Sequence, residues 1–440
     1  MNSCSSVDRC RAGIRVITLG CSKNLVDTEH LLAQVKDRFE IFPEDDERPV
    51  DYLLINTCGF IGDAKEESIS VILESVERKK EGSVGEVVVF GCLSQRYMHE
   101  LKEEIPEVDA WFGARDEDLD RLLGNLGVES SHVGHQRLGT QAPYAFLKIS
   151  EGCDSRCSYC AIPFIRGAHR SVPMEVLVQE ARSLASKGVR ELIIIAQDTT
   201  YYGLDIYHRR ALGELLERLS AVEGIERLRI HYSYPADFPE DVIDSMANNP
   251  KVCRYMDIPL QHISDTVLSN MHRNIDGNGT RALIERMRKK VPGIVLRTTM
   301  IVGHPGESEA DFQELLDFVR DARFERLGAF TYSEEEGTFD ATHFKDDIPQ
   351  QEKDRRLDVL MNLQREISLE YNNSRVGTVV DVLVDDIVDG TLVCRSEFES
   401  PEVDGEILVK DAAGDVKVGD MIKVRIVAAD DYDLAAERVI

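Results

Sequence analysis

The sequence predicts an α/β chain in three parts. These are an N-terminal open parallel α/β sheet, a run of β/α units forming a full or partial barrel, and a small C-terminal β-barrel or sandwich. Three observations carry this. Short apolar runs alternate with amphipathic helical stretches in two successive blocks, 14–130 and 139–370. From residue 372 to 440 the texture changes to Val- and Ile-rich runs cut by Asp/Gly turns. At 440 residues the chain is also too long for one ordinary domain.

In the first block, Ile14-Arg15-Val16-Ile17-Thr18-Leu19 is a strand candidate. Ser22 follows as an N-cap, with Leu25, Thr28, Leu32 and Val35 at helical spacing. A second strand, Asp51–Asn56, precedes a helix whose Ile69, Ile72, Leu73 and Val76 form an i, i+3, i+4, i+7 stripe. The third strand, Glu86–Phe90, is almost continuously apolar, as buried parallel strands are. Residues 130–143 are polar and rich in turn formers, the composition of a linker.

The middle block offers six strands: Ala145–Ile149, Glu191–Ala196, Arg227–Tyr232, Tyr255–Pro259, Leu296–Val302 and Leu327–Tyr332. Amphipathic helices such as Met174–Lys187 and Asp311–Ala322 lie between them. Six β/α units in a row suggest a full or partial β/α barrel, with an open doubly wound sheet as the alternative. In the last block, Thr378–Val384 and Ile422–Val427 are strand candidates. The pairs Asp389-Gly390, Asp404-Gly405, Gly414-Asp415 and Gly419-Asp420 mark turns.

The formal net charge is −28. Such a field opposes nucleic-acid binding and favours basic partners. Met1 to Cys10 hold no apolar signal-peptide core, and no stretch approaches the ~18 apolar residues of a membrane span. The expected location is the cytoplasm, where ten cysteines are not a disulfide framework but point to metal or redox chemistry.

The sharpest motif is Cys153-Asp154-Ser155-Arg156-Cys157-Ser158-Tyr159-Cys160, directly after a strand candidate. Three thiolates on one short loop can hold three irons of a 4Fe-4S cluster and leave the fourth open to a ligand. The alternative is a zinc knot with a remote fourth ligand. Zinc loops favour paired C-x-x-C units, and no second pair matches.

Cys21, Cys58 and Cys92 look scattered, yet each lies just past the end of a predicted parallel strand, in Leu19-Gly20-Cys21, Asn56-Thr57-Cys58 and Phe90-Gly91-Cys92. Their separations, 37 and 34 residues, match a βαβ unit. Parallel strands share a carboxyl edge, where open α/β sheets bind ligands, so the three should converge on a second cluster. Glycines 20, 59 and 91 suit tight turns and close approach there. Three unrelated buried thiols are the bland alternative. Cys4, Cys10, Cys253 and Cys394 read as bystanders. His231, His262 and His304, near barrel strand ends, read as hydrogen-bonded structural residues. Gln197 and Asp198 read equally as a site contact or a satisfied turn.

The C-x-x-x-C-x-x-C loop matches the signature of the radical S-adenosylmethionine (SAM) superfamily. With the three spaced cysteines and the C-terminal β domain, the chain resembles the methylthiotransferases over essentially its whole length. The resemblance implies an N-terminal methylthiotransferase domain, a radical SAM partial barrel and a TRAM β-barrel. It also implies two 4Fe-4S clusters and SAM as cofactors. Cys153, Cys157 and Cys160 would hold the catalytic cluster that cleaves SAM, and Cys21, Cys58 and Cys92 the auxiliary one that delivers sulfur. Tyr159 matches an aromatic usual before the third cysteine. Gly303 and Pro305, in Val302-Gly303-His304-Pro305-Gly306-Glu307, match a Gly-x-Pro segment that lines the adenosine.

Of the two main branches, one modifies adenosine in tRNA and the other an aspartate of ribosomal protein S-twelve. Leu19-Gly20-Cys21-Ser22-Lys23-Asn24-Leu25-Val26-Asp27, Tyr255-Met256-Asp257-Ile258-Pro259-Leu260-Gln261-His262 and Ala329–Thr338 are similar to the second branch. The implied partners are that ribosomal protein or the small subunit, and an electron donor such as flavodoxin or ferredoxin. Residues 372–440 carry seven Arg and Lys against sixteen Asp and Glu, a net of −9, so strong tRNA binding is not expected. A non-catalytic iron–sulfur electron carrier is the rival from another class. The chain departs from the family pattern at Ser22, where proline is usual, at Val172, where arginine is usual, and at His304, where an aromatic is usual.

Overall fold

A computed structural model describes residues 11–130, 136–139, 143–410 and 414–439. They fall into two compact units, one within Met1–Thr140 joined by Ala161–Ala168, the other within Gln141–Cys160 and His169–Ile440. Cys4 and Cys10 lie outside the described residues.

The first unit is built on one parallel sheet. Its strands are β1 (Ala12–Thr18), β2 (Phe39–Phe42), β3 (Val50–Thr57), β4 (Val84–Gly91) and β5 (Ala110–Trp111), in the order β2-β1-β3-β4-β5. The three predicted strands are its central ones; the short edges β2 and β5 were not legible. Leu53, Leu54 and Ile55 are all fully buried, because helices cover both faces of the sheet. The predicted N-cap at Ser22 moves by one residue. The chain turns at Gly20 (φ +89°), so Cys21 takes the cap position and the helix runs Ser22–Val35.

Most of the predicted linker 130–143 lies outside the described residues. Its described part is anchored. Arg137 is buried and donates from Nε to Glu29 at 2.6 Å.

In the second unit, β6 (Tyr144–Lys148) is followed by the small antiparallel pair β7 (Ser150–Glu151) and β8 (Arg170–Ser171). Then come β9 (Glu191–Ile195), β10 (Arg227–Ile230), β11 (Val252–Asp257), β12 (Val295–Val302) and β13 (Arg326–Thr331). Six strands pair in parallel in the order β13-β12-β11-β10-β9-β6. The order never reverses, which rules out a doubly wound sheet, and β6 and β13 remain edges. The array is a partial β/α barrel.

Alternate strand residues such as Leu192, Ile194, Leu228, Ile230 and Leu296 pack with Leu177, Leu184, Leu215 and Leu283 of the surrounding helices into the main core. On the opposite face, Cys253, Tyr255 and Val295 meet Tyr371 and Phe398.

The predicted helices form at Met174–Ser186 and Glu309–Ala322, the latter opened by a Ser308/Asp311 capping box. Five further strands close a barrel: β14 (Val379–Val388), β15 (Thr391–Arg395), β16 (Ile407–Val409), β17 (Met421–Ala429) and β18 (Leu434–Arg438). Alternating Val382, Val384, Leu392, Cys394, Val424 and Ile426 fill it.

The barrel seats on the amino-terminal part of the six-stranded sheet through charge pairs, those at Glu191 fully buried and Arg254–Glu397 half-exposed. Arg229 and Arg395 clamp Glu191 at 2.7 and 3.2 Å, Arg254 meets Glu397 at 2.7 Å, and Tyr255 donates to Asp404 at 2.7 Å. No helix among the described residues is long and apolar enough to cross a membrane.

Candidate functional site

Cys21, Cys58 and Cys92 follow β1, β3 and β4, which are immediate neighbours in the sheet. At ~4.8 Å per strand their ends span roughly 10 Å. The glycines bring the turns together. A Cβ on Gly20 would stand 2.6 Å from the Cys58 Cβ and 2.8 Å from its Sγ. A Cβ on Gly59 would stand 2.6 Å from the Leu93 Cα, just beyond Cys92. The three turns therefore close on one another, and the cysteines meet at one sheet edge.

Asn24 ties that edge, donating from Nδ2 to the carbonyls of Leu19 (2.8 Å) and Thr57 (3.2 Å). The segment Ala161–Ala168, directly after the last cysteine of the compact loop, belongs to this unit. Ala161 and Ile165 pack with Cys92 and Ala114. Arg166, 3% exposed, donates to Asn24 at 2.5 Å, to Asp27 at 2.7 Å and to the Cys92 Sγ at 3.3 Å.

The environment splits the thiols. Crowding alone would raise Cys21, but Lys23, Arg166 and the peptide N–H groups of Asn24 and Lys23 outweigh it and lower this thiol. Burial pushes Cys58 up, and Cys92 up to about 11 despite the Arg166 charge.

In the second unit the Cys153–Cys160 loop is pinned on both sides of Ser158. Its N–H donates to the Met271 carbonyl at 3.1 Å, and its carbonyl accepts from the Asp340 N–H at 3.0 Å. Arg273 donates to the Pro259 carbonyl at 2.6 Å, lies 4.2 Å from the Tyr234 ring, and points Nη1 at the Cys157 Sγ, 3.7 Å away. This guanidinium is buried and has no carboxylate partner among the described residues, and its Nε has no acceptor. An unpaired buried cation is costly, and thiolate charge at Cys157 would offset it. Burial pushes Cys153 up to about 11 and Tyr159 well above the ordinary phenol range.

Among the described residues no three Cys, His, Asp or Glu side chains converge tightly enough for a single ion. Thiolates on separate irons of a cluster stand further apart than the ligands of one ion. Two sets of three thiols, each with a guanidinium against one sulfur, fit cysteine-held clusters whose properties are set by surrounding charge and hydrogen bonds.

The Gly-x-Pro turn follows β12. Gly303 has φ +75°, and the side chain of Lys353 fills the place where its Cβ would stand. The reason the resemblance implies for this glycine, lining the adenosine, is thus joined by a protein one. Glu307 accepts from the N–H groups of Gly303 and His304 and pairs with Arg356 at 3.1 Å.

Asp198 caps the turn Thr199–Tyr201, accepting from the Thr200 N–H at 2.9 Å and hydroxyl at 2.7 Å. Gln197 donates to Glu151 at 2.9 Å. His231 bonds Ser400 at 2.7 Å, and His262 accepts from the Ser264 N–H at 3.0 Å. Cys394 is buried inside the apolar C-terminal barrel, and Cys253 is buried beside Tyr255 and Val295, near the charges of Arg229 and Glu191.

Comparison with known proteins agrees with this architecture. The chain matches the Radical SAM superfamily over residues 147–319, the Uncharacterized protein family UPF0004 over 13–113 and the TRAM domain over 376–439. A Bacteroides fragilis protein named ribosomal protein uS12 methylthiotransferase RimO is 50% identical over 429 residues, 97% of this chain and 99% of that one. A Porphyromonas gingivalis protein of the same name is 50% identical over 433 residues, 98% and 99% of the two chains. The chain belongs to the RimO family of radical SAM methylthiotransferases.

Among solved structures, the radical SAM methyltransferase TsrM from Kitasatospora setae superposes with a TM-score of 0.58 at 14% identity. It covers 87% of this chain and 77% of its own, a likeness of fold. As a RimO-family enzyme the chain uses a 4Fe-4S cluster and SAM. Asn24, Asp27, Arg166 and Arg273 are the site residues that the sequence reading did not single out. Asn24 and Asp27 lay inside a quoted motif; the arginines carried no signal.

Proposed function

We propose that this RimO-family enzyme methylthiolates the β-carbon of an aspartate in ribosomal protein uS12. The observation that carries the reading is the pair of three-cysteine sets, in a chain half identical to RimO relatives along nearly all its length. Cys153, Cys157 and Cys160 would hold the cluster that meets SAM, with Tyr159, Gly303 and Pro305 lining its pocket. Cys21, Cys58 and Cys92 would hold an auxiliary 4Fe-4S cluster. When bound, these groups supply reductive cleavage of the sulfonium, hydrogen abstraction, and sulfur and methyl transfer, with electrons from a donor such as flavodoxin or ferredoxin.

The chain's own work is positional. Met271 and Asp340 fix the peptide between Cys157 and Cys160, and Arg273 sets positive charge beside Cys157. Arg166 does the same beside Cys92 and is itself held by Asp27 and Asn24. On the C-terminal barrel, Asp386, Asp389 and Glu437 stay exposed, a surface suited to a basic protein rather than to a phosphate backbone.

The test is anaerobic. Reconstituted enzyme with SAM, reductant and a sulfur source is offered uS12 and tRNA in parallel, each read by mass spectrometry. A methylthio group on one aspartate of uS12 is expected, with none on tRNA; the reverse pattern would overturn the substrate. Cys58→Ala is expected to keep SAM cleavage within about threefold and to lose methylthiolation entirely. Modified product from that variant would remove Cys58 from the auxiliary site.

A further inference from the structure

His304 stands where the family usually has an aromatic. Its ring is fully buried, edge-on to Tyr332 at 5.1 Å and Phe344 at 6.1 Å. Both ring nitrogens face acceptors. Nε2 lies 2.9 Å from the Asp340 Oδ2, and Nδ1 lies 3.1 Å from the Pro305 carbonyl. The neutral ring donates to one of these acceptors and the imidazolium to both.

Asp340 is also fully buried. Among the described residues His304 is its one side-chain hydrogen-bond partner, and Oδ1 has none. A carboxylate in that position is tolerable only while its partner holds it.

The pair joins two parts of the site that are far apart in sequence. His304 sits inside the Gly303–Gly306 turn after β12. Asp340 sits in the short helix Phe339–His343, which Thr338 caps by accepting from the Ala341 N–H at 3.3 Å. The Asp340 N–H holds the Ser158 carbonyl, between Cys157 and Cys160, at 3.0 Å. A continuous path therefore runs from the turn, through ring and carboxylate, to the cysteine loop.

We propose that His304 and Asp340 form a positioning pair that holds the Gly303–Gly306 turn in register with the Cys153–Cys160 loop and so sets the affinity for SAM. This rests on the reading that the turn lines the SAM pocket. Neither residue touches the reacting atoms; both act through the backbone they hold.

The test uses the full chain, reconstituted anaerobically, as wild type, His304→Phe, Asp340→Ala and the double variant. Three quantities are read: iron content, the SAM dissociation constant by equilibrium dialysis, and the change in the electron paramagnetic resonance spectrum of the reduced cluster on adding SAM. Each single variant is expected to keep its iron and to bind SAM about tenfold more weakly, with a diminished spectral change. His304→Phe leaves a buried carboxylate unpaired. Adding Asp340→Ala removes that charge, so the double variant should bind no more weakly than the worse single one.

Single variants within twofold of wild type, or losses that multiply in the double, would overturn the pair. So would variants that lose iron or fold while the loaded fraction binds SAM normally, since that marks a purely structural role. A wild-type protein that holds its cluster but binds no SAM would instead sink the functional reading itself, and this inference with it.

Discussion

Cys157→Ala enzyme, reconstituted and reduced, is expected to release 5′-deoxyadenosine at least about 10³-fold more slowly than wild type, because cysteines that hold one cluster act as a unit. The effect should be local. Cys157 lies on a loop held by the Ser158 peptide, whose bonds to Met271 and Asp340 do not involve the thiol. The substitution does leave Arg273 facing no sulfur, with no carboxylate to replace it among the described residues. A modest drop in stability, on the order of 1 kcal/mol, should accompany the loss. Iron should fall to the content of one cluster. Cys394→Ala is the matched control. Its thiol is fully buried inside the C-terminal barrel, so iron and SAM cleavage should both be retained while stability falls by about 1 kcal/mol. Normal 5′-deoxyadenosine release by Cys157→Ala would remove the Cys153–Cys160 loop from the chemistry altogether.

The placement of the six cysteines on the fold could be read from the sequence because the strands before them announce themselves locally. Buried parallel strands such as Leu53-Leu54-Ile55 are apolar on both faces, so a cysteine just beyond one is already placed at the sheet's carboxyl edge. What could not be read are the contacts between residues remote in sequence. Arg166 reaches Cys92 across 74 residues and Arg273 reaches Cys157 across 116, and no spacing rule connects them. Closure of the middle sheet was equally hidden, since it depends on whether β6 and β13 meet, which is a matter of curvature. The glycine at 303 was visible, but Lys353, which fills the space beside it, was not.

The electrostatic reading of residues 372–440 also changes meaning once the barrel is seated. Its excess acid is not all directed outward. Glu397 pairs with Arg254 at 2.7 Å, Glu399 lies 3.6 Å from Arg326, and Asp404 lies 3.6 Å from Arg297. These arginines stand on β11, β13 and β12. Composition counted the charges but could not assign them to a seam or to solvent. Among the described residues, exposed carboxylates such as Asp386, Asp389 and Glu437 remain to meet a basic partner, while Asp381 and Asp415 already pair with Lys423 and Arg438.

Glu191→Ala should expose how much that seam depends on one carboxylate. Glu191 is fully buried at the start of β9, between Arg229 at 2.7 Å and Arg395 at 3.2 Å. Burial alone would push its carboxyl up; the charges of Arg229, Arg395 and Arg227 outweigh that and hold it down to about 2. Removing it leaves the buried Arg229 with no carboxylate among the described residues and Arg395 with Asp385 alone, and breaking a buried pair this way costs roughly 3–5 kcal/mol. For a unit of this size the melting temperature should fall on the order of 10 °C. The depressed carboxyl also fixes a sign for acid. Its stabilisation is complete above the unfolded value of ~4.3 and is lost as pH falls from there towards 2. Wild type should therefore weaken steeply over that window, and Glu191→Gln should show a flatter loss from a lower starting stability. The triple variant Glu191→Leu, Arg229→Met, Arg395→Met tests whether charge pairing or packing holds the seam. An apolar replacement of these three side chains should melt above Glu191→Ala, because it removes both buried guanidiniums and leaves only Asp385, at the edge of the cluster, without its Arg395 partner. A triple variant no more stable than the single one would mean that the arginines hold the barrel mainly through the carbonyls of Ser396 and Glu397, which Arg229 also reaches. A single variant melting within about 2 °C of wild type would mean that water or relaxation already relieves the buried charge.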